Sequence, residues 1–205
     1  MNDKTYLDNV YDLDTSEKTR AFYDDWSATY DEEVAENGYA TPGRAAEALA
    51  GFVEDLAEPM MDLGCGTGVS GAAFRAAGFS TLDGTDFSPQ MLKRAESKGI
   101  YRTLLKGNLS DPMPFADGAY RLISAIGVLN PGHAPAEVFD QVMAKLPAGG
   151  LFTFSLNDHA LADPAYEARL NEHLDCGAAR LLFKEYGTHL PKIDLQSNVY
   201  VVAKA

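Results

Sequence analysis

The sequence is poor in the residues that mark several kinds of protein. Only two of its 205 residues are cysteine, Cys65 and Cys176. They lie far apart and have no His or Cys neighbours at ligand spacing. Neither a disulfide framework nor a zinc site is expected, and no metal of any kind. Free thiols in a reducing cytosol are the simplest reading, which points to a cytoplasmic location. No apolar run reaches the ~18 residues of a membrane span, so no membrane partner is expected. The opening MNDKTYLDNVYDLD lacks the basic start and apolar centre of a secretory signal and the Arg-rich character of a transit peptide. Basic residues are scarce: 17 Lys and Arg stand against 30 Asp and Glu, a formal net charge of −13, with no basic run longer than two. Nucleic-acid binding relies on Lys and Arg displacing counterions, so a nucleic-acid partner is not expected. The charge favours a small or cationic ligand. Composition says nothing of oligomeric state.

The 46% hydrophobic content suffices for one sizeable core. A single domain over 1–205 is expected, with a loose arm at 1–14, N-terminal helices over 15–57 and the core over 58–205. Residues 15–38 read as one helix, capped by Thr15 or Ser16, with Phe22, Trp26 and Tyr30 recurring on one face. A second helix starts near Thr41-Pro42. From Met60 the pattern changes. Strands over 60–63, 79–87, 100–107, 120–130 and 151–157 alternate with helices over 69–78, 88–99 and 135–146. A helix over 164–176 then leads to two strand-like runs, 179–187 and 198–205, separated by the turn-rich THLPKIDLQS. The predicted fold is α/β: a doubly wound, mostly parallel seven-stranded Rossmann-like sheet with an antiparallel edge hairpin and N-terminal helices.

The stretch MMDLGCGTGVSG places Gly64, Gly66 and Gly68 behind Asp62 at the end of the first strand. Ligands of doubly wound sheets bind at the carboxyl ends of the strands, near the switch point. The dinucleotide fingerprint G-x-G-x-x-G fits badly, because its third glycine comes one residue early and Val69 stands where glycine is wanted. A carboxylate at Asp62 also opposes a pyrophosphate and favours a cationic ligand. S-adenosylmethionine carries a sulfonium and an ammonium and has no phosphate. Asp86 ends the second strand, where an acid can accept both hydroxyls of an adenosine ribose.

The motifs DLGCGTG, GTDFSPQML, GNLSDPMPFADGAYRLI and LPAGG, in this order, resemble those of class I S-adenosylmethionine-dependent methyltransferases over about residues 22–156. More narrowly, YDDWSATYDEEVAENGY, GCGTGVSG and KGIYRTLLKGNL are similar to the Williams–Beuren-type methyltransferase-like proteins. The resemblance implies S-adenosyl-L-methionine as cofactor and a set of roles. Gly64, Cys65 and Gly66 would lie along the methionine and ribose, and Asp62 would help hold the methionine ammonium. Asp86 would take the ribose hydroxyls. Phe87 and Met91 would flank the adenine, although Met91 is equally well placed as core. Asn108 would meet the adenine amino group and the Leu109 N–H a ring nitrogen. Ala125, Ile126 and Gly127 would pass beneath the methionine. Tyr30 would meet the methionine carboxylate or simply pack in the core. Tyr39 would line the acceptor pocket. The chain departs from the family pattern at Tyr120-Arg121 and in LPAGG, neither of them at the cofactor.

Methyl transfer from a sulfonium is an in-line displacement whose main demand is alignment, so no catalytic residue need show. Asn130, His133, Asn157 and His159 follow the fourth and fifth strands. His133 is the best-placed acid–base candidate, against the commoner reading of a surface-loop histidine. The expectation is methyl transfer to a small-molecule substrate. A cofactor-binding protein without transferase activity is the alternative, and a nicotinamide-dependent oxidoreductase is disfavoured by Asp62 and Val69.

Overall fold

The computed structural model describes Tyr6 and residues 16–205. The expected arm and the Thr15 cap lie outside the described residues, apart from Tyr6. Three helices come first: α1 (Ser16–Trp26), α2 (Tyr30–Glu36) and α3 (Thr41–Ala50). The alternating part follows, with β1 (Met60–Leu63), α4 (Val69–Ala76), β2 (Leu82–Asp86), α5 (Pro89–Ser97), β3 (Thr103–Lys106), β4 (Leu122–Ala125), α6 (Val138–Lys145) and β5 (Leu151–Asn157). Then come α7 (Asp158–Ala162), α8 (Pro164–Asp175), β6 (Ala179–Leu190), a 3-10 turn at Pro191–Ile193 and β7 (Leu195–Lys204).

The seven strands form one sheet in the order β3-β2-β1-β4-β5-β7-β6. β1 pairs in parallel with both β2 and β4, which makes the gap between the β1 and β4 carboxyl ends the switch point. β7 inserts antiparallel between β5 and β6, so the expected hairpin closes one side of the sheet. Strand alternation sends side chains to two faces. Met61, Ile123, Phe152, Phe154, Tyr200 and Val202 pack against α6 and α8. Met60, Leu82, Leu122, Val199, Val201 and Ala203 pack against Ala45, Ala46 and Leu49 of α3 and Phe74 of α4.

Three expectations change. The single helix over 15–38 is two helices, broken at 27–29. Ser27 and Thr29 turn the chain there: the Ser27 hydroxyl donates to the Asp24 carbonyl, and Glu33 reaches back to accept from the Trp26 indole at 2.8 Å. Hydroxyl residues that bond their own backbone favour such breaks. Asn157 ends β5 and caps the unforeseen α7, accepting from the Ala160 N–H. β6 runs to Leu190 instead of ending at Gly187, because pairing with β7 continues past a register shift between Thr188 and Leu190.

Candidate functional site

At the switch point the chain leaves β1 through a left-handed glycine, Gly64 (φ 63°), and enters α4 through another, Gly68 (φ 91°). A Cβ at Gly64 would stand 2.5 Å from Val128 Cγ2, so the loop lies directly on the segment after β4. Gly64→Ala is therefore expected to lower stability by about 2–4 kcal/mol, the sum of overpacking and left-handed strain. In a Val128→Ala background the steric part is expected to disappear; urea denaturation of the single and double variants checks this.

Asp86 organises the loop from β2. Its carboxylate accepts from the Gly66 N–H and the Ser88 N–H, both at 2.9 Å. Burial pushes its pKa up to about 6 despite the Ser88 and Gly66 hydrogen bonds, which work the other way. Ser88 caps α5, accepting from the Met91 N–H at 3.1 Å, and donates to Asp24 of α1. The loop, the β2 end and α1 are thus tied together by side chains of three elements.

Asp62 is placed differently from expectation. It is fully buried beneath the loop, on the α4 face of β1, and does not line the cleft. Its carboxylate accepts from Ser70 at 2.6 Å, Ser124 at 2.7 Å and Tyr101 at 2.7 Å. Burial raises its pKa and the three hydroxyls oppose that. Asp62 joins β1, α4, β4 and the segment before β3. The fourth glycine of the stretch belongs to the same cluster, since a Cβ at Gly71 would fall 2.3 Å from the Tyr101 hydroxyl.

Above these elements opens a cleft of about 720 Å³. Tyr30, Gly64, Gly66, Asp86, Phe87, Met91, Asn108, Leu109, Ile126 and Gly127 line it, as do Tyr23, His133 and Gly107. A Cβ on Gly66 meets nothing within 4 Å, so the loop faces open space there. Cys65 lies on the reverse side, in a smaller cavity with Tyr39 and Val69, and burial with Asp86 and Asp62 nearby pushes its thiol well up. Ala125 is buried in β4 and outside the cleft wall. The Asn108 side chain accepts from the Ser110 N–H, while the Leu109 carbonyl accepts from Gln141.

A second cavity, about 390 Å³, shares Tyr23, Tyr30, Gly127 and His133 with the first. Tyr39, Asn130 and Asn157 line it, joined by Trp26 and His189. Among the described residues that line it, none is Lys, Arg, Asp or Glu. Gly127 (φ 71°) stands at the junction, where a Cβ would fall 2.2 Å from the Tyr39 hydroxyl. His133 lies in the turn after β4 and is half-buried. It bonds the Tyr23 hydroxyl through Nε2 and lines both cavities, and burial pulls its pKa down to about 4. His159 is exposed on α7 and lines neither cavity. The departures at Tyr120-Arg121 also lie elsewhere: Tyr120 donates to Asp83, and Arg121 pairs with Glu58 at 3.1 Å. Tyr23 and His189 escaped sequence reading. Tyr23 sits one residue off the apolar stripe, a placement that offers a weak signal for a cleft-facing side chain.

Among the described residues no group of His, Cys, Asp and Glu is arranged to hold a metal, and no helix is long and apolar enough to cross a membrane.

The sheet order, the glycine loop and an acid at the end of β2 match those of the class I S-adenosylmethionine-dependent methyltransferase fold. Residues 60–150 match the methyltransferase domain family. The human methyltransferase-like protein 27 is 34% identical over 134 residues, covering 62% of this chain and 54% of the relative. The chain thus spans about half the length of that curated relative. Magnesium protoporphyrin IX methyltransferase from Synechocystis, solved with bound S-adenosylhomocysteine, superposes with a TM-score of 0.70 at 12% identity over 93% of this chain and all (100%) of that one. The cyclase SpnF superposes with a TM-score of 0.67 at 16% identity over 94% of this chain and 97% of that one.

Proposed function

We propose that the protein transfers the methyl group of S-adenosylmethionine to a small, uncharged acceptor. The observation that carries this is the pairing of two cavities through Gly127: one presents the buried Asp86 carboxylate, and the other has aromatic, amide and imidazole groups, and no charged one, among its described lining residues. The larger cleft is lined mainly by aromatic and apolar side chains with a few polar groups, as small-ligand sites usually are. Its residues fit the cofactor: Asp86 offers two oxygens for ribose hydroxyls, and the loop faces open space at Gly66. Bound there, the cofactor supplies an activated methyl group.

The chain's own residues hold and align. In this reading Asp86 takes the ribose. Phe87 and Met91 flank the adenine, with the Asn108 side chain and the Leu109 N–H at its edge. Gly64, Cys65 and Gly66 lie along the methionine through their backbone, with Ala125 and Gly127 beneath it and Tyr30 near its carboxylate. Asp62 acts from below by fixing the loop. Tyr39, Asn130 and Asn157 shape the acceptor side. His133, neutral near pH 7 because its pKa lies at about 4, is the acid–base candidate, with Tyr23 as its hydrogen-bond partner. Alignment of donor and nucleophile across Gly127 supplies much of the rate.

The net charge of −13 supports a small molecule over a nucleic acid. Two free cysteines support a reducing, cytoplasmic setting. Residues 60–150 and the strands around them are read as one domain. A second reading, cofactor binding without methyl transfer, draws on the likeness to a cyclase. Two experiments separate them. Titration calorimetry is expected to show S-adenosylhomocysteine binding; none at millimolar ligand would sink both readings. Labelled methyl transfer into a metabolite extract is expected for the first reading and absent for the second.

A further inference from the structure

His189 stands where the two β-hairpin strands lose register. Thr188 pairs with Gln196 and Leu190 with Leu195, so His189 is the extra residue of a bulge. Bulges re-aim side chains. This one turns the imidazole from the sheet edge into the second cavity, and the residue is 4% exposed. The His189 carbonyl accepts from the Ala40 N–H at 3.0 Å, which pins the bulge against the start of α3.

A chain of buried hydrogen bonds leads to the ring. Arg44 Nη1 lies 3.2 Å from Ser197 Oγ, Ser197 Oγ 2.8 Å from Thr41 Oγ1, and Thr41 Oγ1 2.8 Å from His189 Nδ1. Ser197 and Thr41 have no solvent exposure. A guanidinium only donates, so Ser197 accepts from Arg44. The order in which each hydroxyl donates once along the chain runs from Ser197 to Thr41 and from Thr41 to His189 Nδ1. Gly187 makes room for the guanidinium, since a Cβ there would lie 2.9 Å from Arg44 Cζ.

With Nδ1 accepting, the ring's proton is on Nε2. Among the described residues Nε2 makes no hydrogen bond; it is the nitrogen left to the cavity. Burial brings His189 down to about 4, with Asp158 opposing and Arg44 acting in the same direction, so the ring stays neutral near pH 7. Asn130 supplies the complementary group. It is 3% exposed in the same cavity, its amide nitrogen lies 3.5 Å from the Gly127 carbonyl, and its Oδ1 is buried with no partner among the described residues. The residues lining the cavity thus include a donor, His189 Nε2–H, and an acceptor, Asn130 Oδ1, that the described residues leave unused. Trp26 and Tyr39 provide flat apolar surface beside them.

We propose that His189 and Asn130 select the methyl acceptor: His189 donates from Nε2 to a carbonyl oxygen, while Asn130 accepts from the hydroxyl or amino group of a small, neutral, planar arene. Arg44, Ser197 and Thr41 are positioning residues that fix the His189 tautomer. The assignment rests on the proposed cofactor reading, because it makes the second cavity the acceptor side of the first.

The test uses the full chain, labelled with nitrogen-15, in saturating S-adenosylhomocysteine. Binding of that ligand is measured first; its failure counts against the cofactor reading whatever His189 does. Imidazole nitrogen spectra at neutral pH are expected to show His189 protonated on Nε2 and not on Nδ1. In Thr41→Val the two tautomers are expected to mix, with the circular dichroism spectrum unchanged. Titration with 4-hydroxyacetophenone is expected to move the His189 Nε2–H resonance, with binding at least about tenfold tighter than that of 4-ethylphenol, which lacks the carbonyl, as suits one good hydrogen bond. His189→Phe is expected to erase that preference and His189→Gln to keep part of it, both with unchanged S-adenosylhomocysteine affinity. An Nδ1–H tautomer or an imidazolium in the wild type overturns the proposal. So does equal binding of the two phenols, or a failure of both to bind while S-adenosylhomocysteine binds.

Discussion

Asp62→Ala is expected to lose about 3–5 kcal/mol of stability, a large share of the ~5–15 kcal/mol that holds a domain together. The loss comes from what the substitution strands. Ser70, Ser124 and Tyr101 all donate to this carboxylate, and Ser124 has no solvent exposure. Each buried donor left unsatisfied costs roughly 1–3 kcal/mol, and partial rearrangement holds the sum below threefold that. Asp62→Asn keeps one acceptor oxygen and is expected to lose less. Urea denaturation followed by far-ultraviolet circular dichroism measures both, with the midpoint falling and the slope unchanged. An Asp62→Ala protein as stable as the wild type would remove Asp62 from its structural role.

Asp86→Ala is expected to weaken S-adenosylhomocysteine binding about a hundredfold or more while the protein remains folded. Two hydrogen bonds from ribose hydroxyls to a charged acceptor are worth roughly 1.5–3 kcal/mol each. Acidity offers an independent check. The carboxyl is pushed up to about 6 by burial, so binding that needs the carboxylate is expected to fall as pH drops through about 6. Without ligand the sign reverses. The folded pKa lies above the ordinary 3.8, so this group's contribution to stability is full below that value and is lost as pH rises through about 6. At neutral pH one residue thus makes the ligand-free protein less stable and the liganded one tighter. Calorimetry at several pH values measures the first effect and thermal unfolding the second; Asp86→Ala is expected to flatten both. A variant that binds like the wild type would show the site map to be wrong.

The parts legible in sequence are those whose cause is local. Strand alternation, the glycines around Asp62 and the Ser88-Pro89 cap each sit within a few residues of what they determine, and the sheet followed from their order. Asp62 shows the limit of that locality. Its place before the glycines suggested a ligand contact, yet the pleat points it to the α4 face, toward hydroxyls contributed by residues 8, 39 and 62 positions away. The break after Trp26 depends on Glu33 reaching back to the indole, with neither Gly nor Pro to announce it. His189 was the least legible. A bulge in a hairpin sets its direction, and its hydrogen-bond partner, Thr41, lies far back in the chain.

The first helix bears on timing as well as on shape. α1 crosses the cleft held by side-chain bonds to both rims: Thr19 to the Gly132 carbonyl, Tyr23 to His133 and Asp24 to the Ser88 hydroxyl. Side-chain bonds of this kind would slow the exchange of a ligand seated behind the helix, because each must open before the helix moves aside.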